Sequence, residues 1–146
     1  MNDLHKMIFT FATENGEEIE TMWVRAIGDD KYVVDNIPFY VKLISLNDIV
    51  GGKKNAEGDL VFDSVVTSGG HSTIRIVVFD QSKVAEVCQT CEGLKCSIEI
   101  ADNKKLLAVD VPPHISWDHV IGRISSLAEA GLVDYEEASI SRVHVP

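Results

Sequence analysis

His71 and Ser72 stand side by side in the run Ser68, Gly69, Gly70, His71, Ser72, Thr73, Ile74, Arg75, the pairing of imidazole and hydroxyl from which a base-activated nucleophile is built. Neighbours on an extended strand point to opposite faces, so these two cannot hydrogen-bond to each other as a dyad requires. No strand-to-helix elbow of the kind that exposes a hydrolase serine surrounds them. The pattern predicts that His71 and Thr73 satisfy buried backbone groups or contact a ligand, and that catalysis does not reside there.

Other chemistry-bearing groups meet similar objections. Cys88 and Cys91 have the spacing of a redox pair or half a zinc site, with Cys96 as a third thiol. They fall near the C-terminal end of an expected helix and on its apolar stripe, so core cysteines are expected and no metal site. Gly69 and Gly70 are followed by no helix and lack phosphate-loop spacing. His114 and His119 flank a helix start, where cap and surface roles are expected. Asp29 and Asp30, and Asp134, Glu136 and Glu137, are adjacent acidic groups rather than converging ligands. They read as solvated surface or as an acidic docking patch for a basic protein. No cofactor motif is present.

Two kinds of element must position these residues. In the first half, alternation in residues 6–13, a turn at Asn15 and Gly16, and short apolar runs at 19–27, 32–34, 39–43 and 59–66 predict antiparallel strands. Pro38 breaks the pattern, and the Gly, Lys and Asn-rich residues 51–58 read as an exposed loop. A small antiparallel sheet or partial barrel follows. The second half changes period. An unbroken apolar run from Ile74 to Phe79 reads as a buried strand. Asp80 or Ser82 can cap a helix carrying Val84, Val87, Cys88, Cys91 and Leu94, with Gly93 ending it. A hairpin over residues 96–111 comes next, then a helix capped by Ser116 and closed by Gly131, then a last strand at 138–143.

The order is β-α-β-β-α-β, the ferredoxin-like arrangement. The fold class is α+β, with a β-rich subdomain at residues 1–70 and a ferredoxin-like subdomain at 71–146, forming one compact unit. Strand parity puts Thr73, Arg75, Val77 and Asp110 on the face away from the helices, with Arg75 expected opposite Asp110.

With 146 residues the chain can build one ordinary core, and 23 acidic residues against 13 basic ones give a formal net charge of -10. Such a surface repels nucleic acid and anionic lipid and speeds encounter with a basic partner. RNA binding through the sheet is disfavoured too, since the expected open face lacks the paired aromatics on which bases stack. No stretch has membrane-spanning length, and the apolar run from Met7 to Ala12 is too short and acidic for a signal peptide. Three cysteines, an odd number, argue for a reducing cytoplasm.

Met22, Trp23 and Val24, the run Asp35, Asn36, Ile37, Pro38, Phe39, Tyr40, the run Asn47 to Val50, and Gly70 to Arg75 resemble an uncharacterised family of small bacterial proteins known only as a domain of unknown function. The resemblance implies a bacterial cytosolic protein of the same fold and supplies no activity, cofactor or catalytic residue.

Small size, negative charge, a sheet-rich surface and no assembled catalytic group together predict a non-enzymatic binding protein. Most concretely this is an immunity protein that neutralises a nuclease-type toxin, with Asp29, Asp30, Asp134, Glu136 and Glu137 as candidate contacts. The competing expectation is a small-molecule sensor or enzyme using a cleft between the halves, with Asn36, His71, Thr73 and Arg75 pointing in. Homo-oligomerisation through a sheet edge is a third.

Overall fold

The computed structural model describes residues 3–145. Among these, the chain is a mixed α+β protein with nine strands and two α-helices. β1 (Leu4–Thr13), β2 (Gly16–Gly28), β3 (Lys31–Val34), β4 (Ile49–Lys54) and β5 (Leu60–Thr67) form a closed barrel, β1 returning to β5 through a parallel contact at Ile8 and Val61. Closure goes beyond the partial barrel expected from the sequence. Alternation along β1 and β2 sends Met7, Phe9, Met22 and Val24 inward, and Phe9 stacks on Phe62 with ring centroids 5.0 Å apart.

Gly51 and Gly52, which read as the start of an exposed loop, belong to β4 instead, and the exposed turn that follows spans residues 55–59 and includes Gly58. A Cβ on Gly52 would lie 2.5 Å from the Met7 methyl, so the residue is glycine because the opposite wall fills its space. The β2–β3 turn places Asp29 and Asp30 at φ of 55° and 58°, a left-handed pair that aspartate tolerates and that suits a tight hairpin.

β6 (Ser72–Val78), β7 (Ser97–Ile100), β8 (Leu106–Val111) and β9 (Val133–Ser139) form a second sheet in the order β7-β8-β6-β9, with every neighbouring pair antiparallel. α1 (Val84–Gly93) follows a 3-10 turn at Gln81–Lys83 that Asp80 caps, and α2 (Trp117–Glu129) is capped by Ser116 accepting from the His119 N–H. Both helices lie on one face, over Ile74, Ile76, Val78, Leu107 and Val109. α1 ends without a left-handed glycine: Gly93 is its last residue and Lys95 takes φ of 68°.

Three expectations are corrected. Residues 39–43 are not a strand, because the 14-residue segment between β3 and β4 (35–48) leaves the barrel and lies over the second sheet's helix-free face. The last strand is Val133–Ser139 rather than 138–143, since the chain leaves the sheet at Ile140 and is tied down by other bonds. Arg75 lies opposite Ala108, and it is Thr73 that faces Asp110.

Candidate partner-binding site

The segment 35–48 reaches the sheet because the barrel supplies acceptors for its backbone. The Glu20 carboxylate accepts from the N–H groups of Phe39 at 2.7 Å and of Tyr40 and Val41 at 3.0 Å. Asp48, buried at the other end, accepts from Ser45 N and Gly69 N at 2.9 Å each. Burial pushes the Asp48 carboxyl above its usual range against these two bonds. On the sheet side, the Ser45 and Thr73 hydroxyls meet at 2.8 Å, Leu43 N donates to Ala138 O at 3.1 Å, and Arg75 Nη1 donates to Val41 O at 3.2 Å.

The four cleft candidates fall at separate points on this seam. Asn36 Oδ1 accepts from Trp23 N, and Thr73 is fully buried against Ser45. His71 Nδ1 lies 2.8 and 3.0 Å from the Asp110 carboxylate oxygens, and its Nε2 lies 3.2 Å from Asn47 Nδ2. The Asn47 amide donates to Nε2, which leaves the ring proton on Nδ1 to be given to Asp110. Asp110 is 1% exposed, and burial raises its carboxyl above the usual range while the His71 bond opposes that shift. Arg75, of the four, lines the pocket described below.

Ser72 does have an imidazole partner, but it is His144, with Oγ to Nδ1 at 2.6 Å. His144 Nε2–H donates to the Pro112 carbonyl at 3.0 Å, so Nδ1 accepts from the Ser72 hydroxyl. The same hydroxyl oxygen accepts from Ser141 N at 2.8 Å, and Ser72 is fully buried. This arrangement holds the C-terminal segment against the sheet and offers no approach to a substrate. The cysteines are free thiols in or beside the core; burial pushes Cys91 up to about 12 and Cys96 up to about 11, so both stay protonated. Among the described residues no group of His, Cys, Asp and Glu converges to hold a metal.

The accessible feature of the seam is a pocket of about 260 Å³ walled by Phe39, Tyr40, Val77 and Leu106, with Asp134 and Glu136 on its β9 side and Arg75 beneath. Tyr40 is 49% and Val77 43% exposed, and Tyr40 is held in place by stacking on Phe11 at 5.6 Å. Arg75 Nε donates to Glu136 Oε1 at 2.8 Å, and Lys42 Nζ lies 3.5 Å from Glu136 Oε2. Burial acts to raise the Glu136 carboxyl, but the Arg75 bond and charge and the Lys42 charge outweigh it and hold the group below its usual range.

The acidic candidates do not form one cluster. Asp29 and Asp30 sit on the β2–β3 turn, whereas the other three lie on β9, where register puts Asp134 and Glu136 on the Arg75 face and Glu137 opposite Ile74 on the other. The residues missed in the sequence, Glu20, Ser45, Asp48 and His144, are anchors whose partners lie 19 to 72 positions away. The adjacent aromatics Phe39 and Tyr40 after Pro38 were the one local signal for the pocket.

Fold and seam define a class of small α+β protein in which a barrel lays a loop across the open face of a four-stranded sheet. The chain belongs to the family described as a domain of unknown function, DUF4265, whose model matches residues 20–135. Its fold is similar to that of a hypothetical protein from Neisseria gonorrhoeae, with a TM-score of 0.80 at 23% identity, over 93% of this chain and 94% of that one. No curated protein matches the chain. Among the described residues no helix is long and apolar enough to cross a membrane.

Proposed function

We propose that this chain is a non-enzymatic protein-binding module, most concretely a bacterial cytoplasmic immunity protein that neutralises a nuclease-type toxin through an acidic surface. One observation carries the reading: exposed Val77 and Tyr40 form an apolar patch rimmed by the exposed carboxylates of Asp134 and Glu136, on a chain of net charge -10. Apolar centres with polar rims are how protein interfaces are built, and the negative field favours a basic partner. The internal bonding of His71, Ser72 and Thr73 also supports it, since these side chains are committed to holding the seam.

The strand order β7-β8-β6-β9, with helices after β6 and β8, supports the ferredoxin-like reading of the second half. In that arrangement one sheet face is left without helices, and here the 35–48 segment covers part of it.

The test is co-expression with the polypeptide encoded beside this chain's gene. Growth rescue, and inhibition of that polypeptide's nuclease activity by the purified chain, are expected. A non-toxic neighbour, or a toxic one that the chain leaves fully active, would contradict the reading.

A further inference from the structure

The buried apolar residues fall into two clusters that share no member. One fills the barrel and takes in Val41 and Ile44 of the segment 35–48, while the other lies between the second sheet and its helices. The segment is therefore packed as part of the barrel. Its backbone is also bonded there, by the Glu20 carboxylate, by Asp35 N donating to Trp23 O at 2.9 Å and by Asn47 N donating to Val34 O at 2.8 Å. Among the described residues no strand of the barrel pairs with a strand of the second sheet.

What joins the segment to the sheet is polar: Ser45 to Thr73, Leu43 N to Ala138 O, Arg75 Nη1 to Val41 O, Asn47 to His71, and Glu99 to Asn36 and the Ile37 backbone. The buried apolar residues outside both clusters are Ile37, Ala108 and Ala138, so little apolar surface holds the seam. The closed seam also keeps the Asp48 and Asp110 carboxyls from water and leaves Arg75 Nη2 buried without a hydrogen-bond partner. Opening would hydrate all three. A polar seam between separately packed bodies permits relative motion, which a large apolar one resists.

The chain passes from one body to the other once, between the end of β5 at Thr67 and the start of β6 at Ser72. Gly69 is held on the barrel side, its N–H donating to Asp48 Oδ1 at 2.9 Å. Gly70 is held on the sheet side, its carbonyl accepting from Ser141 Oγ at 2.8 Å, and its φ is 87°. The two bodies meet at this pair, where glycine can absorb a backbone rotation that other residues resist. We propose that the chain is a two-body hinge: the barrel and the segment 35–48 move together, and the seam opens about Gly69 and Gly70 without unfolding either body. The open form brings Thr73, Arg75 and Asp110 of the helix-free face into contact with solvent.

Native-state hydrogen exchange of the full ¹⁵N-labelled wild-type chain tests this, because neighbouring amides of one segment are bonded to different bodies. The Leu43 N–H crosses the seam to Ala138 O, whereas the Val41 N–H donates to Glu20 within the barrel body. After correction for intrinsic rates, Leu43 should exchange at least about tenfold faster than Val41 and than Ile74 and Ile76 of the sheet, with little dependence on urea. Leu43 and Val41 exchanging together would show the segment peeling from the barrel, and Leu43 exchanging at the rate of Ile74 would show a rigid seam; either overturns the proposal. A second measurement uses Thr73→Cys in a Cys88→Ser background, with an aromatic disulfide as thiol reagent. Thr73 is fully buried in the seam, and Cys91, fully buried in the helix-side core, serves as the internal control. The introduced thiol should be labelled at least about tenfold faster than Cys91, and equal rates would contradict an opening confined to the seam.

Discussion

Arg75 Nε donates to Glu136 Oε1 at 2.8 Å while Nη2 of the same guanidinium has no partner. The buried arginine is thus bound on one edge to β9, tied through Nη1 to the segment crossing the sheet, and incompletely satisfied. The two residues differ in environment: the Arg75 side chain is 5% exposed and that of Glu136 49%.

Substitutions at the two ends should therefore differ. Arg75→Leu removes the donor to the Val41 carbonyl and leaves Glu136 in contact with water, so destabilisation of about 1–3 kcal/mol is expected. Glu136→Gln keeps an acceptor for Nε, and the pair's exposure limits its loss to about 1 kcal/mol or less. Urea midpoints of the two variants check this; a larger loss for Glu136→Gln would place the stability in the ion pair.

Asp110 makes a pH-dependent contribution of defined sign. Its folded carboxyl lies above the 3.8 of the unfolded chain because of burial, with His71 opposing. Its stabilising contribution is then fully present below 3.8 and is lost as pH rises through the elevated folded value. Asp110→Asn should reduce the stability difference between pH 4.5 and pH 7 that favours the lower pH, by chemical denaturation at both. An unchanged difference would contradict this. Glu136 works in the opposite direction: its lowered carboxyl contributes stability above 4.5 that is lost as pH falls through the folded value.

Ser72 and His144 should couple. Ser72→Ala leaves the Ser141 N–H without its acceptor and takes from His144 Nδ1 the shorter of its two hydroxyl contacts, the other being Ser141 Oγ at 3.3 Å, for a loss of about 1–3 kcal/mol. His144→Ala also removes the stacking of its ring on Trp117 at 5.6 Å. A double-mutant cycle should give a coupling of about 0.5 kcal/mol or more, and strict additivity would show the two side chains to be independent.

Glycine positions separate sharply by what lies around them. A Cβ on Gly69 would sit 2.4 Å from the Asn47 carbonyl oxygen, a backbone atom held by the Asp48 turn. Gly69→Ala is expected to cost about 1–3 kcal/mol through displaced backbone. At Gly122, inside α2 with open space around it, alanine should instead stabilise by up to about 1 kcal/mol. Thermal midpoints moving in opposite directions check both.

The second half was legible because its signals are local. The period change after Ile74 and caps at Asp80 and Ser116 place the strands and helices before any tertiary contact is known. β9 was misplaced because Glu136 and Glu137 interrupt its alternation, and Glu136, though exposed, is on the Arg75 side of the sheet. Barrel closure was hidden since Gly51 and Gly52 carry loop chemistry yet lie in β4, where Gly52 leaves room for Met7. Strand parity correctly separated His71 from Ser72, but it had no means of supplying the true partners, Asp110 and His144, which lie 39 and 72 positions away. Glu20 was likewise invisible, as a carboxylate in an exposed strand gives no sign that it will gather three backbone N–H groups.

The central claim is that the chain binds a basic partner through the β9 side of its helix-free sheet face. It is tested most directly by measuring the affinity of the purified chain for the polypeptide encoded beside its gene across a salt series, with wild type, Asp134→Asn and Asp29→Asn compared. The account predicts affinity that falls with salt, a further loss of about tenfold in Asp134→Asn, and wild-type behaviour for Asp29→Asn. Salt-independent affinity, or tight binding retained by Asp134→Asn, would contradict it.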